Sequence, residues 1–287
     1  MQMCYTIFVE THENSNRSAI QPEFILILPA VMARHIRRRD ILMNLELVNT
    51  RRNNKIYSDE INTYKIFNKG YDKRLVFLES FITTEVEAAG VKVPSILEVT
   101  NQNEKWTFKS EPIEWKTLFT MMQEDPGNID KYLDKMVEVH TSIHKFKCPK
   151  LPIQKEKLTD YIKVADLDED LKIDLLDMLN TCPKHNKLVH GNFTPHNVVI
   201  SPNGDYIVDW NHAAQGSASA DVARTYIWMQ MNMPEYADIY LKKFCDATNT
   251  SSRYVHNWIP IVAAARLGKK NPGEEELLNS LISVIEY

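Results

Sequence analysis

Two polar residues flank a predicted β-hairpin in the second half of the chain. Asn197 precedes the apolar run Val198-Val199-Ile200, and Asp209 follows Tyr206-Ile207-Val208. Because Asn203-Gly204 between these runs is typical of a tight hairpin turn, we expect Asn197 and Asp209 to lie on adjacent elements. Two oxygen ligands in such an arrangement suit a hard divalent cation bound to substrate phosphates. Each residue alone is equally typical of a turn, so the prediction depends on the pair.

The chain contains neither of the two commonest glycine-rich nucleotide-binding loops. It has 8 glycines in 287 residues, and they form no G-x-G-x-x-G. Gly268 and Gly273 have the spacing of a P-loop, but Glu274 and Glu275 follow them where Lys and Ser or Thr are required. If the protein binds a nucleotide, we expect side chains and the non-glycine loop from 49 to 54 to hold the phosphates.

Composition indicates a globular protein of one large domain or two. Apolar residues make up 44% of the chain and charged residues 25%, and the net charge of −4 gives no general footprint for nucleic acid. Four cysteines without a C-x-x-C pair are typical of reduced thiols in a cytoplasmic protein. The apolar run Phe24–Ala33 is too short to cross a bilayer, so we expect no membrane partner.

Residues 1–42 differ from the rest of the chain. A polar stretch and the apolar run are followed by Arg34-His35-Ile36-Arg37-Arg38-Arg39. Arginine pairs can be encoded as AGG-AGG, a bacterial ribosome-binding sequence, and Met43 follows closely. We therefore expect residues 1–42 to be a translated leader and Met43 to be the biological start. The alternatives are a poorly packed N-terminal extension and a basic arm for nucleic acid or membrane.

Periodicity beyond Met43 predicts a small β-rich part followed by a large helical part. The predicted strands cover residues 45–48, 55–57, 61–67, 93–99 and 105–108. A helix is expected from Arg74 to Ala89, between the third and fourth strands, with Gly90 as its stop. Further helices are expected over residues 129–146, 155–179 and 274–286. The predicted domains are 43–112 and 113–287.

The ordered motifs resemble the aminoglycoside phosphotransferase/choline kinase-like family over roughly residues 43 to 287. The segments that carry the resemblance are Thr63-Tyr64-Lys65-Ile66-Phe67, Glu111–Leu118, His190–Asn197, Ile207-Val208-Asp209-Trp210 and Ala220–Tyr226. The resemblance implies an α+β, protein-kinase-like bilobal fold. Its small N-terminal lobe would hold an antiparallel β-sheet and one helix, and its C-terminal lobe would be mainly helical.

The resemblance also implies ATP and Mg²⁺ as cofactors. Lys65 matches the lysine that holds the ATP phosphates, and Glu79 matches its ion-pair partner. Asn197 and Asp209 match the metal ligands. By themselves, Lys65 would be typical of an exposed edge strand and Glu79 of a solvated helix face.

Four other polar residues of the matching region have structural interpretations. We expect His190 to pack beneath the loop with hydrogen bonds to the backbone, and Asp221 to tie the loops to the helices. His196 and His212 are expected to be polar loop residues without zinc spacing.

Asn192 departs from the family pattern at the position of greatest consequence. The family has Asp after His-Gly, where it receives the proton of the acceptor hydroxyl. An amide orients a hydroxyl but takes no proton at neutral pH, and a general base contributes about 10²–10⁴-fold to rate. Two functions therefore remain open: an impaired ATP-dependent phosphotransferase with a small-molecule hydroxyl acceptor, and a pseudokinase that binds Mg²⁺-nucleotide or a metabolite.

The sequence leaves the identity of the acceptor open. It could be an amino sugar, an amino alcohol or another metabolite. Asp125, Asp130 and Glu274-Glu275-Glu276 could attract a cationic acceptor, but they are also typical of solvated charges at helix ends.

Overall fold

The structure, a computed structural model, describes residues 45–59, 61–114 and 116–283. The proposed leader over residues 1–42 and the proposed start at Met43 lie outside the described residues. Within the described part, no helix combines the length and the apolar composition needed to cross a bilayer.

The first half of the fold is a five-stranded antiparallel sheet in the order β1-β2-β3-β5-β4. Its strands are β1 (Glu46–Thr50), β2 (Asn54–Ser58), β3 (Thr63–Phe67), β4 (Ile96–Gln102) and β5 (Lys105–Ser110). The predicted order of three strands, one helix and two strands is confirmed. Strand β4 begins later than expected because Pro94 has no N–H to donate to a ladder.

Helix α1 (Lys73–Ala88) connects β3 to β4 and is amphipathic. Asp72 caps it by accepting a hydrogen bond from the Arg74 N–H at 2.8 Å. The buried stripe of the helix includes Val76, Glu79 and Val86, at the spacing of successive turns. The helix ends as expected before Gly90, whose φ of +97° is unfavourable for other residues. Glu79 is therefore a carboxylate placed on a buried face, where it requires a cationic partner.

The second half of the fold is mainly helical. Its helices are α2 (Leu118–Glu124), α3 (Ile129–Ile143), α4 (Gln154–Lys163), α5 (Glu169–Thr181), α6 (Ala218–Asn232), α7 (Pro234–Thr248), α8 (Ser252–His256), α9 (Ile259–Leu267) and α10 (Glu275–Ile282). The predicted division between residues 112 and 113 falls in the segment that connects β5 to α2.

The single helix predicted over residues 155–179 is wrong, because the chain forms α4 and α5 there. The break contains Asp168, whose side chain accepts the Asp170 N–H at 2.9 Å and caps α5. A carboxylate that bonds the backbone in this way starts a helix more readily than it continues one.

Two small antiparallel sheets shape the segment between α5 and α6. Strand β6 (Lys187–Val189) pairs with β9 (Ala214–Gly216), and β7 (Val198–Val199) pairs with β8 (Tyr206–Ile207). The second pair is the predicted hairpin. These sheets bring the loop after β6 and the loop after β8 to the same side of the helical core.

Asp221 on α6 anchors the loop after β6. Its Oδ2 accepts the backbone N–H of His190 and its Oδ1 that of Gly191, both at 2.8 Å. From α3, His140 and His144 donate through Nε2 to Oδ2 at 3.1 and 3.2 Å. Burial by itself raises the pKa of Asp221, but the hydrogen bonds from the two histidines hold this pKa well below its usual range. The ionised carboxylate therefore joins the loop, α3 and α6, as the sequence predicts.

We expect Asp221→Asn to lower the free energy of unfolding by about 3–5 kcal/mol, because it removes a buried charge that serves four donors. Guanidinium denaturation measures this loss. Asp246→Asn is the control, since Asp246 is exposed and pairs with Lys242 on the surface of α7. The control should change stability by about 0.5 kcal/mol at most. Equal losses in the two variants would contradict the anchoring role of Asp221.

Candidate active site

Lys65 lies in the centre of the sheet and reaches two carboxylates. It stands in β3 between Ile56 of β2 and Phe108 of β5, so its position is fixed by ladders on both sides. Its Nζ forms an ion pair with Glu79 and lies 3.3 Å from Asp209 Oδ1. The sheet, helix α1 and the loop after β8 therefore meet at one ammonium group.

The charges around Lys65 keep its ammonium group and the carboxylate of Asp209 ionised. Burial by itself lowers the pKa of Lys65, but attraction by Glu79 and Asp209 outweighs burial and raises this pKa above its usual value. Burial also opposes ionisation of Asp209, yet Lys65 and then Arg51 hold its pKa far below the usual range. At neutral pH an ammonium ion therefore faces an ionised carboxylate in the cleft.

The backbone of Asp209 is held in the left-handed region, with φ of +70° and ψ of +54°. Such a conformation is uncommon outside glycine, although Asp adopts it more readily than most residues. This conformation ends the extended segment that follows β8 and begins the short helical turn Trp210–His212. The kink directs the carboxylate toward Lys65 instead of along the strand.

Asn197 and Asp209 are brought together by Arg51, which sequence reasoning did not single out. Arg51 lies in the turn between β1 and β2, within the loop expected to hold phosphates. Its Nη1 donates to Asn197 Oδ1 at 2.7 Å and to Asp209 Oδ2 at 2.9 Å. Its Nη2 donates to the His196 carbonyl at 3.3 Å. The two oxygens predicted to bind a metal thus converge on one cationic nitrogen.

The two converging oxygens are ligands of the kind that a cation site requires. A side-chain amide oxygen of Asn197 and a carboxylate oxygen of Asp209 are the donor types that Mg²⁺ prefers. Asn197 is fixed from its other side, because its Nδ2 donates to the Asn192 carbonyl at 3.0 Å. The residues present therefore fit a divalent cation, which would take the place that the guanidinium of Arg51 holds.

His190 lies beneath the loop, as expected from the sequence. It is fully buried, and its Nε2 donates to the Val208 carbonyl at 3.0 Å. Burial lowers its pKa, so the ring is neutral. His190 therefore supports the segment that leads into Asp209.

Gly191 allows two loops to approach closely. Its φ is +73°, and a Cβ at this position would collide with the carbonyl oxygen of His212. The next residue, Asn192, accepts a hydrogen bond at Oδ1 from Arg224 Nη2 at 2.6 Å. Sequence reasoning gave Arg224 no role, although it lies one helical turn after Asp221 on α6 and therefore on the same face.

The structure thus separates the predicted site residues into three groups. Lys65, Glu79 and Asp209 form one charged cluster, which Arg51 joins to Asn197. Asn192 lies beside this cluster and contacts Arg224. His190 lies below both groups and forms a hydrogen bond with the backbone carbonyl of Val208.

A cavity extends from the charged cluster under the sheet. Apolar side chains such as Ile56, Phe108 and Ile207 contribute most of its surface, and its polar lining residues include Lys65, Asp209, Thr63 and Ser110. A largely apolar cavity that also holds cationic and oxygen-bearing groups has the chemical character required for a nucleotide base with its phosphates.

Comparison with known proteins gives one family match. A family model described as "Phosphotransferase enzyme family" matches residues 65–254. No curated protein sequence matches the chain.

Solved structures share the fold at low identity. A thermostable mutant of aminoglycoside phosphotransferase APH(4)-Ia, in ternary complex with ADP and hygromycin B, is 14% identical with a TM-score of 0.62 over 85% of this chain and 93% of that chain. Choline kinase LicA from Streptococcus pneumoniae is 15% identical with a TM-score of 0.58 over 89% and 100%. Amicoumacin kinase hAmiN, in complex with AMP-PNP, Ca²⁺ and Ami, is 12% identical with a TM-score of 0.58 over 89% and 95%. These likenesses establish the kinase-like fold.

We expect Arg51→Gln to strengthen binding of a divalent cation in the absence of nucleotide. The substitution removes a competing cation whose charge-assisted hydrogen bonds contribute about 1.5–3 kcal/mol, so the gain in affinity should be about tenfold. Electron paramagnetic resonance of Mn²⁺ measures free and bound metal directly.

Arg52→Gln is the matched control for this experiment. Arg52 is the neighbouring residue, but its side chain is exposed and contacts Asn271 at 3.1 Å. Both substitutions remove one positive charge from the same loop. If the two variants bound Mn²⁺ equally well, the competition by Arg51 would be refuted.

Proposed function

Because this chain belongs to the phosphotransferase enzyme family, we propose that it transfers the γ-phosphate of ATP to a hydroxyl group of a small molecule. The observation that carries the proposal is the convergence of Lys65, Asn197 and Asp209 at a largely apolar cavity. Support also comes from the similar kinases, two of which were solved with ADP or AMP-PNP.

Lys65 would bind the phosphates of ATP. Its ammonium group is kept protonated by Glu79 and Asp209, and Glu79 fixes its position. A fixed ammonium neutralises phosphate charge without reorganisation during the reaction, which is the main requirement for phosphoryl transfer.

Asn197 and Asp209 would hold Mg²⁺ on the phosphates. When bound, Mg²⁺ supplies positive charge that neutralises the transferred phosphoryl group. Arg51 would leave the two oxygens at the same time. Its guanidinium remains on the loop between β1 and β2, where it would donate to phosphate oxygens in place of the missing glycine-rich backbone.

Asn192 would orient the acceptor hydroxyl. Its Oδ1 is already bonded to Arg224, so its Nδ2 is the group available to donate to the hydroxyl oxygen. The amide takes no proton, and we therefore expect slow turnover that depends on positioning and on cation electrostatics.

The alternative function is that of a pseudokinase, which binds Mg²⁺-nucleotide without turnover. The specific observation in its favour is again Asn192, because the oxygen at the position of the base is neutral and committed to a guanidinium. Both functions require nucleotide binding, and only the first requires transfer.

We expect calorimetry to detect ATP binding that is strengthened by Mg²⁺. Asp209→Asn should reduce the affinity for Mg²⁺-ATP by at least about tenfold, because it removes a charged ligand of the cation. Asp205→Asn is the matched control, since Asp205 lies in the same hairpin and pairs with Lys135 at 2.8 Å. Absence of ATP binding by the unmodified protein would contradict both proposed functions.

We expect Asn192→Asp to raise the rate of phosphate transfer at saturating acceptor by about 10²-fold or more, because it restores a proton acceptor. The readout is ADP formation with a panel of hydroxyl compounds, measured against Asp209→Asn as the inactive reference. Asn203→Asp adds the same charge at the exposed hairpin turn and should change nothing. A rate unaffected by Asn192→Asp with every compound would favour the pseudokinase.

A further inference from the structure

A second cavity lies on the helical side of the loop that carries Asn192. Helices α4, α6 and α9 and the segment after α9 form its walls, and Gly191 and His212 line it as well. Apolar side chains such as Leu158 and Val262 contribute much of its surface. Electrostatic interactions inside a cavity with such apolar walls are stronger than in water.

Four cationic side chains line this cavity. They are Lys157 of α4, Arg224 of α6, Arg266 of α9 and Lys269. We name these four residues the basic cluster.

The carboxylates near the basic cluster are already engaged. Asp221 lines the cavity, but its oxygens accept hydrogen bonds from the loop backbone and from two histidines. Glu274 forms an ion pair with Arg266. Lys157 donates to the carbonyl of His212 at 2.7 Å and Lys269 lies over the ring of Tyr161. The cavity therefore retains excess positive charge.

Two guanidinium groups of the basic cluster are buried and have nitrogen donors without a hydrogen-bond partner among the described residues. Arg224 is 8% exposed, and its Nε and Nη1 have no hydrogen-bond partner among the described residues. The side chain of Arg266 is 10% exposed, and its Nε has no partner there either. Buried charged donors without acceptors are strongly unfavourable, so a ligand that supplies oxygen acceptors would stabilise the site.

The lowered pKa values of the basic cluster are consistent with a site that binds an anion. Burial and then repulsion by Arg224 lower the pKa of Lys269 to about 7, and burial lowers that of Lys157 to about 8. Burial and then repulsion by Arg266 lower the pKa of Arg224 to about 9. A bound anion would relieve each of these effects.

The cavity is joined to the active site by one side chain. Arg224 lines the cavity and donates through Nη2 to Asn192 Oδ1. An anion held on one of the unpartnered nitrogens of the same guanidinium would lie within a few bond lengths of the position where the acceptor hydroxyl is expected. The two groups are close enough to belong to one small molecule.

We propose that the phosphate acceptor is an anion, a hydroxyl compound whose carboxylate or phosphate group is bound by Arg224, Arg266 and Lys269. This inference rests on the proposed phosphotransferase function and names its substrate class. It disfavours a cationic acceptor, because an amino sugar or a quaternary amine would face the basic cluster.

Three of the acidic residues that could have attracted a cationic acceptor are engaged by other side chains. Asp125 accepts hydrogen bonds from Asn128 and Tyr132, Asp130 pairs with Lys243 at 3.0 Å, and Glu274 pairs with Arg266.

The test compares four probes that differ mainly in charge: glycerate, glycerol 3-phosphate, glycerol and choline. Calorimetry on the full chain, without nucleotide, measures the dissociation constant of each. We expect one or both of the anions to bind, glycerol to bind at least about tenfold more weakly, and choline to show no binding. The stronger of the two anions identifies the acidic group that the site prefers.

Lys269→Gln should weaken binding of that anion by about tenfold. Lys270→Gln is the matched control, because Lys270 is the next residue, carries the same charge and is exposed. Both variants should bind Mg²⁺-ATP as the unmodified protein does, since neither lysine lines the cavity beneath the sheet.

The outcomes separate the two proposals. Binding of choline in preference to the anions, absence of anion binding, or equal effects of the two lysine variants would overturn the anionic acceptor. In each case, intact Mg²⁺-ATP binding would leave the phosphotransferase function standing. Anion binding that depends on Lys269 in a protein that fails to bind Mg²⁺-ATP would instead contradict the phosphotransferase function and retain the anion site.

Discussion

The carboxylate of Asp221 is the group on which the geometry of the active site depends. By accepting the N–H groups of His190 and Gly191, it fixes the direction in which the chain leaves β6. The histidines of α3 bind the same carboxylate, so the loop is fastened to two helices at one point. Asn192 then faces α6, where Arg224 lies one turn beyond the anchor. The helix that holds the loop therefore also supplies the guanidinium that contacts its functional side chain.

The second constraint is charge balance in the cleft. Buried charges are costly unless they are paired, and the cluster of Lys65, Glu79 and Asp209 meets this requirement through its own ion pairs. Arg51 completes the balance by bonding Asn197 and Asp209. An incoming cation would replace the guanidinium with another positive charge, so the cleft keeps its balance. If this loop binds phosphate through the Arg51 side chain, as proposed, it needs no glycine-rich backbone.

The sequence predicts the fold well because local patterns carry most of it. Alternation in the strands, the stripe on α1 and the Asn203-Gly204 turn are short-range features, and the structure contains the strands, the helix and the hairpin that they predict. The break between α4 and α5 was missed, because periodicity continues through Asp168 while its side chain bonds the backbone. Arg51 and Arg224 were missed for a different reason. Arg51 meets partners 146 and 158 residues away and Arg224 one 32 residues away, and no local pattern encodes contacts of that range.

The amide at position 192 and the basic cluster are consistent with a single electrostatic arrangement. One nitrogen of Arg224 donates a hydrogen bond to Asn192, and its other two have no partner among the described residues. A carboxylate at this position would pair with the guanidinium and neutralise much of its charge, whereas an amide accepts one hydrogen bond and leaves the charge in place. If the acceptor is an anion, Asn192 preserves the field that binds it. Phosphoryl transfer depends more on positioning and charge than on removal of a proton, so the proposed transfer would rely mainly on the cations of the site.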